Sequence, residues 1–170
     1  YTIPASSTFT TKPTLSVAAF DPRNPSGRTD IEQPSPATSS NNLDALGSNV
    51  MFRVGYRNLG TIASPINSYA MNWTVNVSGV TPAGADLHQA AIRWEELRRD
   101  GAGTMSVFDE GTHAPDAVSG TGRNRWMGSI AQDNNGNLAL GFSRSGPGAT
   151  EFPDIVWAGR TGGMVAAGTM

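Results

Sequence analysis

LHQAAIRWEELRRD, residues 87–100, carries the decision between an all-β chain and a mixed one. At helical spacing Leu87, Ala90, Ala91, Trp94, Leu97 and Arg98 form one stripe, and the composition suits a helix. At strand spacing Ala90, Ile92 and Trp94 share a face instead. Local propensity favours the helix. The surrounding segments point the other way.

NVMFRVGYRN (49–58) alternates, with Val50, Phe52, Val54 and Tyr56 on one side and Arg53 and Arg57 on the other. SYAMNWTVNVS (68–78) sets Tyr69, Met71, Trp73, Val75 and Val77 against Asn72, Thr74 and Asn76. Both read as strands. TMSVFDEG (104–111) is a shorter strand with Met105 and Val107 inward, and THAPDAVSGTGRN (112–124) is a loop. RWMGSIAQDNNGNLALGFS (125–143) supplies strands at 125–132 and 137–143, and PDIVWAGR (153–160) supplies one more.

These segments recur in order. RVGYRN, SYAMNWTV and AIRWEELRR form one triplet, and GSIAQD, LALGFS and DIVWAGR form a second. Ile92-Arg93-Trp94 matches Ile155-Val156-Trp157, with Arg98 and Arg160 following. A unit of three or four strands repeating at this interval fits a propeller blade, and the match makes residues 89–98 a strand. The expected fold is all-β: antiparallel sheets arranged as about two blades of an incomplete β-propeller, with a β-sandwich as the alternative. Residues 1–42 form an N-terminal arm with apolar runs at Tyr1-Thr2-Ile3 and Leu15–Phe20, then a Pro-, Ser- and Asn-rich loop over 21–42. Residues 43–118 make the first unit and 119–170 the second.

Composition agrees. Twenty glycines and eleven prolines in 170 residues favour turns and short strands over long helices. The absence of cysteine excludes disulfides, thiolate metal sites and cysteine nucleophiles. A net charge of −2 with no basic block points away from nucleic acid. No apolar run approaches the ~20 residues that span a bilayer. The chain opens at Tyr1 rather than Met, and a mature or partial chain is expected.

LDALGSNVMFRVGYRNLG, AIRWEELRRDG, EGTHAPD, RWMGSIAQDNNGNLALGFS and IVWAGRTGG together resemble a family of large, mostly uncharacterised secreted bacterial proteins that are similar to β-propellers. The resemblance spans roughly residues 43–170. It implies an extracellular or cell-surface location and brings no catalytic motif. In that family the position of His113 is usually aromatic and that of Glu95 is often Tyr, so the resemblance gives neither a catalytic role. Sialidase-type propellers carry a Ser-x-Asp-x-Gly-x-x-Trp box, of which SIAQDNNGN is only a loose echo. Two blades fall short of the roughly four that close a propeller. The open blade edges are therefore expected to pack against the remainder of the same protein or a second chain.

Candidate chemistry is thin. Asp109, Glu110, His113 and Asp116 lie within DEGTHAPD, where paired carboxylates and a histidine can do acid–base work. Glu95 sits beside Trp94, and Arg53, Arg93 and Trp94 could grip and stack on a carbohydrate carrying a carboxylate. A solvated loop and structural bridges are the preferred readings of these groups. Asp133, Asn135 and Asn137 have the one-three-five spacing of a Ca²⁺ loop, but Gly136 is misplaced and the twelfth position is Arg144. A hairpin turn is preferred there, and no cofactor is expected. Trp73, Trp94, Trp126 and Trp157 read as core before they read as a sugar platform. His88 reads as a satisfied histidine. Asn72-Trp73-Thr74 and Asn76-Val77-Ser78 match a glycosylation pattern and are treated as coincidence.

The expected function is a structural or binding module of a secreted bacterial propeller protein, without catalysis of its own. The alternatives are part of a sialidase-like carbohydrate-active enzyme and a subunit of an extracellular assembly. Convergence of Arg53, Arg93, Glu95 and Asp109 on one cleft would favour the enzyme.

Overall fold

Residues 90–99 form a strand with a neighbour on each side. In the computed structural model β3 (Ala90–Arg99) pairs antiparallel with β2 (Asn67–Asn76) and with β4 (Met105–His113), so its backbone groups are satisfied by two ladders. Both faces are covered, which is why the segment lacks the polar–apolar alternation of a half-exposed strand. Ile92 and Trp94 are buried on one side, and Arg93 and Glu95 on the other. Arg93, Glu96 and Arg98 are held in ion pairs with neighbouring side chains. Context overrides propensity.

The structure describes residues 11–22, 30–34, 41–47, 49–78, 88–117, 122–146, 148–162 and 168–170. The apolar run at Tyr1–Ile3, much of the 21–42 loop, Leu87 and residues 163–167 of the tail lie outside them. The chain is all-β. β1 (Gly55–Asn58), β2, β3 and β4 form a four-stranded meander in sequential order. β5 (Asn124–Gln132), β6 (Leu138–Ser145) and β7 (Asp154–Arg160) form a three-stranded one. The two sheets do not close into a barrel. Among the described residues no helix is long and apolar enough to cross a membrane.

The sheets pack through Ala70, Ile92 and Trp94 of the first and Ile130, Leu138, Leu140 and Phe142 of the second. Burying each large side chain here contributes about 1.5–3 kcal/mol. The N-terminal arm serves two places. Phe20 packs edge-on against Trp73 on the far face of the first sheet, with ring centroids 5.3 Å apart, and Asp21 bridges Asn76. Ile31, bridged to Leu43, joins Ala45, Ala90 and Trp126 in a second core at the end of the seam.

Two expectations are corrected. The strand expected over 49–58 is confined to Gly55–Asn58; Val50 makes one isolated bridge to Trp73, and Val50, Phe52, Val54 and Tyr56 are exposed. Alternation there marks a chain running beside the sheet edge and not a buried face. The loop expected from residue 112 begins after His113, because Thr112 and His113 continue the ladder to Arg93 and Ile92.

β5 crosses the first sheet at a bulge between Trp126 and Ser129. Gly128 lies in this bulge. A Cβ at Gly128 would collide with Asn72 Oδ1 and crowd Ile92 Cγ2 at 3.2 Å. Gly128→Ala is therefore expected to lower stability by about 1–3 kcal/mol in urea unfolding, as overpacking does.

Candidate functional site

Strand alternation divides the candidate residues between two faces of the first sheet. Arg93, Glu95 and Glu110 share the outer face, where Glu95 lies directly opposite Glu110 in the ladder. The Arg93 guanidinium pairs with Glu110 and reaches Thr112 Oγ1 at 3.5 Å. The Ala18 amide donates to both Glu110 oxygens, at 2.9 and 3.1 Å. Glu95 is buried, and its Oε1 has no hydrogen-bond partner among the described residues. Burial, then the charge of Glu110, pushes its carboxyl above the ordinary carboxylate range, while Arg93 pulls it back. Two carboxyls side by side, one of them harder to ionise than usual, are the elements of an acid–base pair. The arm lies across it: Phe20 stands 5.9 Å from the Arg93 guanidinium.

The Glu95 shift sets a pH dependence. Its folded pKa is raised, so the stability it contributes is complete below its unfolded pKa and is lost as pH rises through the folded value. Glu95→Gln removes this loss. The variant is expected to be more stable than the parent at neutral pH by about 1 kcal/mol, because its amide brings no charge into the buried site. The advantage should close in acid, as thermal melts at pH 4 and pH 7.5 would show.

Asp109, His113 and Trp94 occupy the inner face. Asp109 pairs with Arg160 of β7, and its Oδ1 accepts from the Gly168 amide at 2.9 Å. Arg160 also stands 3.7 Å from Glu96 Oε2, with its guanidinium carbon 5.0 Å from the Trp94 ring. Glu96 is fully buried, and its Oε1 accepts from Ser68 Oγ at 2.9 Å and Arg98 Nε at 2.7 Å. This cluster joins the two sheets. Its centre is not apparent in the sequence, because a strand bearing Glu-Glu and Arg-Arg reads as solvated. The one available signal was the recurring arginine after each Ile-x-Trp. His113 packs on Phe142, with ring centroids 5.2 Å apart. Burial first and Arg125 second hold its pKa below the usual histidine value, against the Met170 backbone and Asp116. Asp116 pairs with Arg125 at 2.5 Å. His88 is buried, and desolvation lowers its pKa against the pull of Asp30.

Arg53 is exposed and lines a groove of about 300 Å³ between β1 and β5, together with Tyr56, Arg57, Ile130 and Gln132. Arg53, Arg93, Glu95 and Asp109 thus share no cleft.

Asp133–Asn137 connects β5 to β6 as a hairpin loop. Asp133 N donates to Asn137 O at 3.0 Å, and Gly136 takes φ +79°, a conformation suited to glycine. Asp133 Oδ1 accepts from the amides of Asn135 and Asn137 at 2.8 and 2.9 Å, and Oδ2 accepts from Asn137 Nδ2 at 2.6 Å. Asn137 Oδ1 accepts from Gly162 N at 2.8 Å. These oxygens hold the turn instead of converging on one point. Among the described residues no group of three or more His, Asp or Glu could hold a metal ion. Trp73, Trp94 and Trp126 are core, but Trp157 is exposed on the outer face of the second sheet. Asn72 and Asn76 are buried and closed to glycosylation in the folded chain.

Comparison with protein-family models, curated proteins and solved structures returned no match.

Proposed function

We propose that this chain is a structural or binding module of a secreted or cell-surface bacterial β-propeller-like protein, with no catalysis of its own. One observation carries the reading. The charged residues best suited to chemistry are spent on tying strands and sheets together: Arg93 on Glu110, and Arg160 on Asp109 and Glu96. The repeated meander supports a module built from like units. The alternative, a share in a carbohydrate-active site, would need an open carboxylate pair, and the Glu95–Glu110 pair lies beneath the arm.

A panel of fluorogenic α-sialosides and β-glycosides tests this. The chain is expected to give no turnover above that of Glu95→Gln. Turnover by the parent that disappears in Glu95→Gln, with the variant still folded, would replace the module with an enzyme.

A further inference from the structure

The β2–β3 and β6–β7 ladders match residue by residue. Trp94 lies opposite Asn72 and Ile92 opposite Thr74; Trp157 lies opposite Gly141 and Ile155 opposite Ser143. With Trp157 set on Trp94, β6 falls on β2. Ala139, Leu140, Phe142 and Ser143 then take the places of Ala70, Met71, Trp73 and Thr74. Each sheet therefore has two kinds of face. One carries Met71 and Trp73, or Leu140 and Phe142. The other carries Ala70, Ile92 and Trp94, or Ala139, Ile155 and Trp157.

The stack joins unlike faces: Leu140 and Phe142 of the second sheet pack on Ala70, Ile92 and Trp94 of the first. The second sheet's equivalent of that acceptor face is open, with Ile155 87% and Trp157 79% exposed. Contacts between unlike faces propagate and do not close after two units. A Cβ added at Gly141, beside Trp157, would meet nothing within 4 Å. We infer that the Ala139–Ile155–Trp157 face seats a third antiparallel sheet, covalently joined to this chain, that presents alternating aliphatic and aromatic side chains as β6 does. This rests on the reading of the chain as a module of repeated units.

Two observations select that occupant over a second copy. The matching Met71–Trp73 face of a second copy is already occupied by its own Phe20. The open face is also small. With seven residues in β7, standard spacings give about 24 Å by about 14 Å, on the order of 300 Å². Stable association of separate chains takes roughly 800 Å² per partner. A tethered sheet does not bear the full cost of association.

The test extends the full chain after Met170 with a second copy of residues 122–170, whose Leu140–Phe142 face serves as the probe. Hydroxyl-radical labelling is read by mass spectrometry at Trp157 of the original copy. Trp157 is expected to label at least several-fold more slowly in the extended chain than in the parent, and the parent should sediment as a monomer. Trp157→Lys in the extended chain should release the added copy to proteolysis while the original 170 residues stay folded. Equal labelling in the two chains, proteolysis of the added copy that is indifferent to Trp157→Lys, or a parent dimer that shields Trp157 would each overturn the inference. Turnover in the hydrolysis panel would instead sink the module reading and would leave these labelling results as they stand.

Discussion

Arg160→Ala is expected to destabilise the fold by about 3–5 kcal/mol, the cost of removing one partner from a buried charge cluster. Arg160 is buried between the sheets, with Asp109 paired to it, Glu96 at 3.7 Å and the Trp94 ring beneath its guanidinium. Removing it leaves the Asp109 carboxylate with the Gly168 amide but without a cation, and leaves Glu96 to Arg98 and Ser68. It also removes the arginine stem that covers Trp94. Urea unfolding measures the loss. The control is Arg144→Ala, which breaks an exposed pair with Asp154 and should cost no more than about 1 kcal/mol. Equal effects from the two changes would mean that Arg160 is not buried between the sheets.

Trp94→Ala is expected to cost about 3–5 kcal/mol, because it empties a fully buried site at the centre of the shared core. Trp157→Ala, at the equivalent position of the second sheet, should change stability by no more than about 0.5 kcal/mol, as surface substitutions do. Denaturant midpoints of the two variants give the comparison. The same residue type in the same register thus has opposite consequences, because only one copy of its face is covered. A large loss from Trp157→Ala would show that the second sheet packs on something other than the first.

Much of this arrangement was legible in the residues. The Ile-x-Trp match set β3 against β7 and turned a helix-favouring segment into a strand. The Asn-Gly turn located β5 and β6 to within about two residues, as hairpin chemistry allows. The inter-sheet cluster was not legible. Glu96, Asp109 and Arg160 come from three strands, and nothing local distinguishes a buried carboxylate on a strand from a solvated one. The split of DEGTHAPD was within reach, since alternation along a strand over 104–111 already sends Asp109 and Glu110 to opposite faces; the continuation of the ladder through Thr112 and His113 was not. The arm was opaque for another reason. Phe20, Asp21 and Ile31 contact the sheets through isolated bridges and single rings, and these leave no periodic trace. The alternation of Val50, Phe52, Val54 and Tyr56 misled in the opposite direction, since a regular pattern there faces solvent.

The central claim is that the four-stranded and the three-stranded meander stack face to face, with β4 and β7 joined across the seam. A double-mutant cycle between Asp109→Asn and Arg160→Met tests it most directly, since 51 residues separate the two partners and they lie in different sheets. The stack predicts a coupling of about 1–3 kcal/mol in urea unfolding. Additivity within about 0.5 kcal/mol, the behaviour of distant and independent sites, would contradict it.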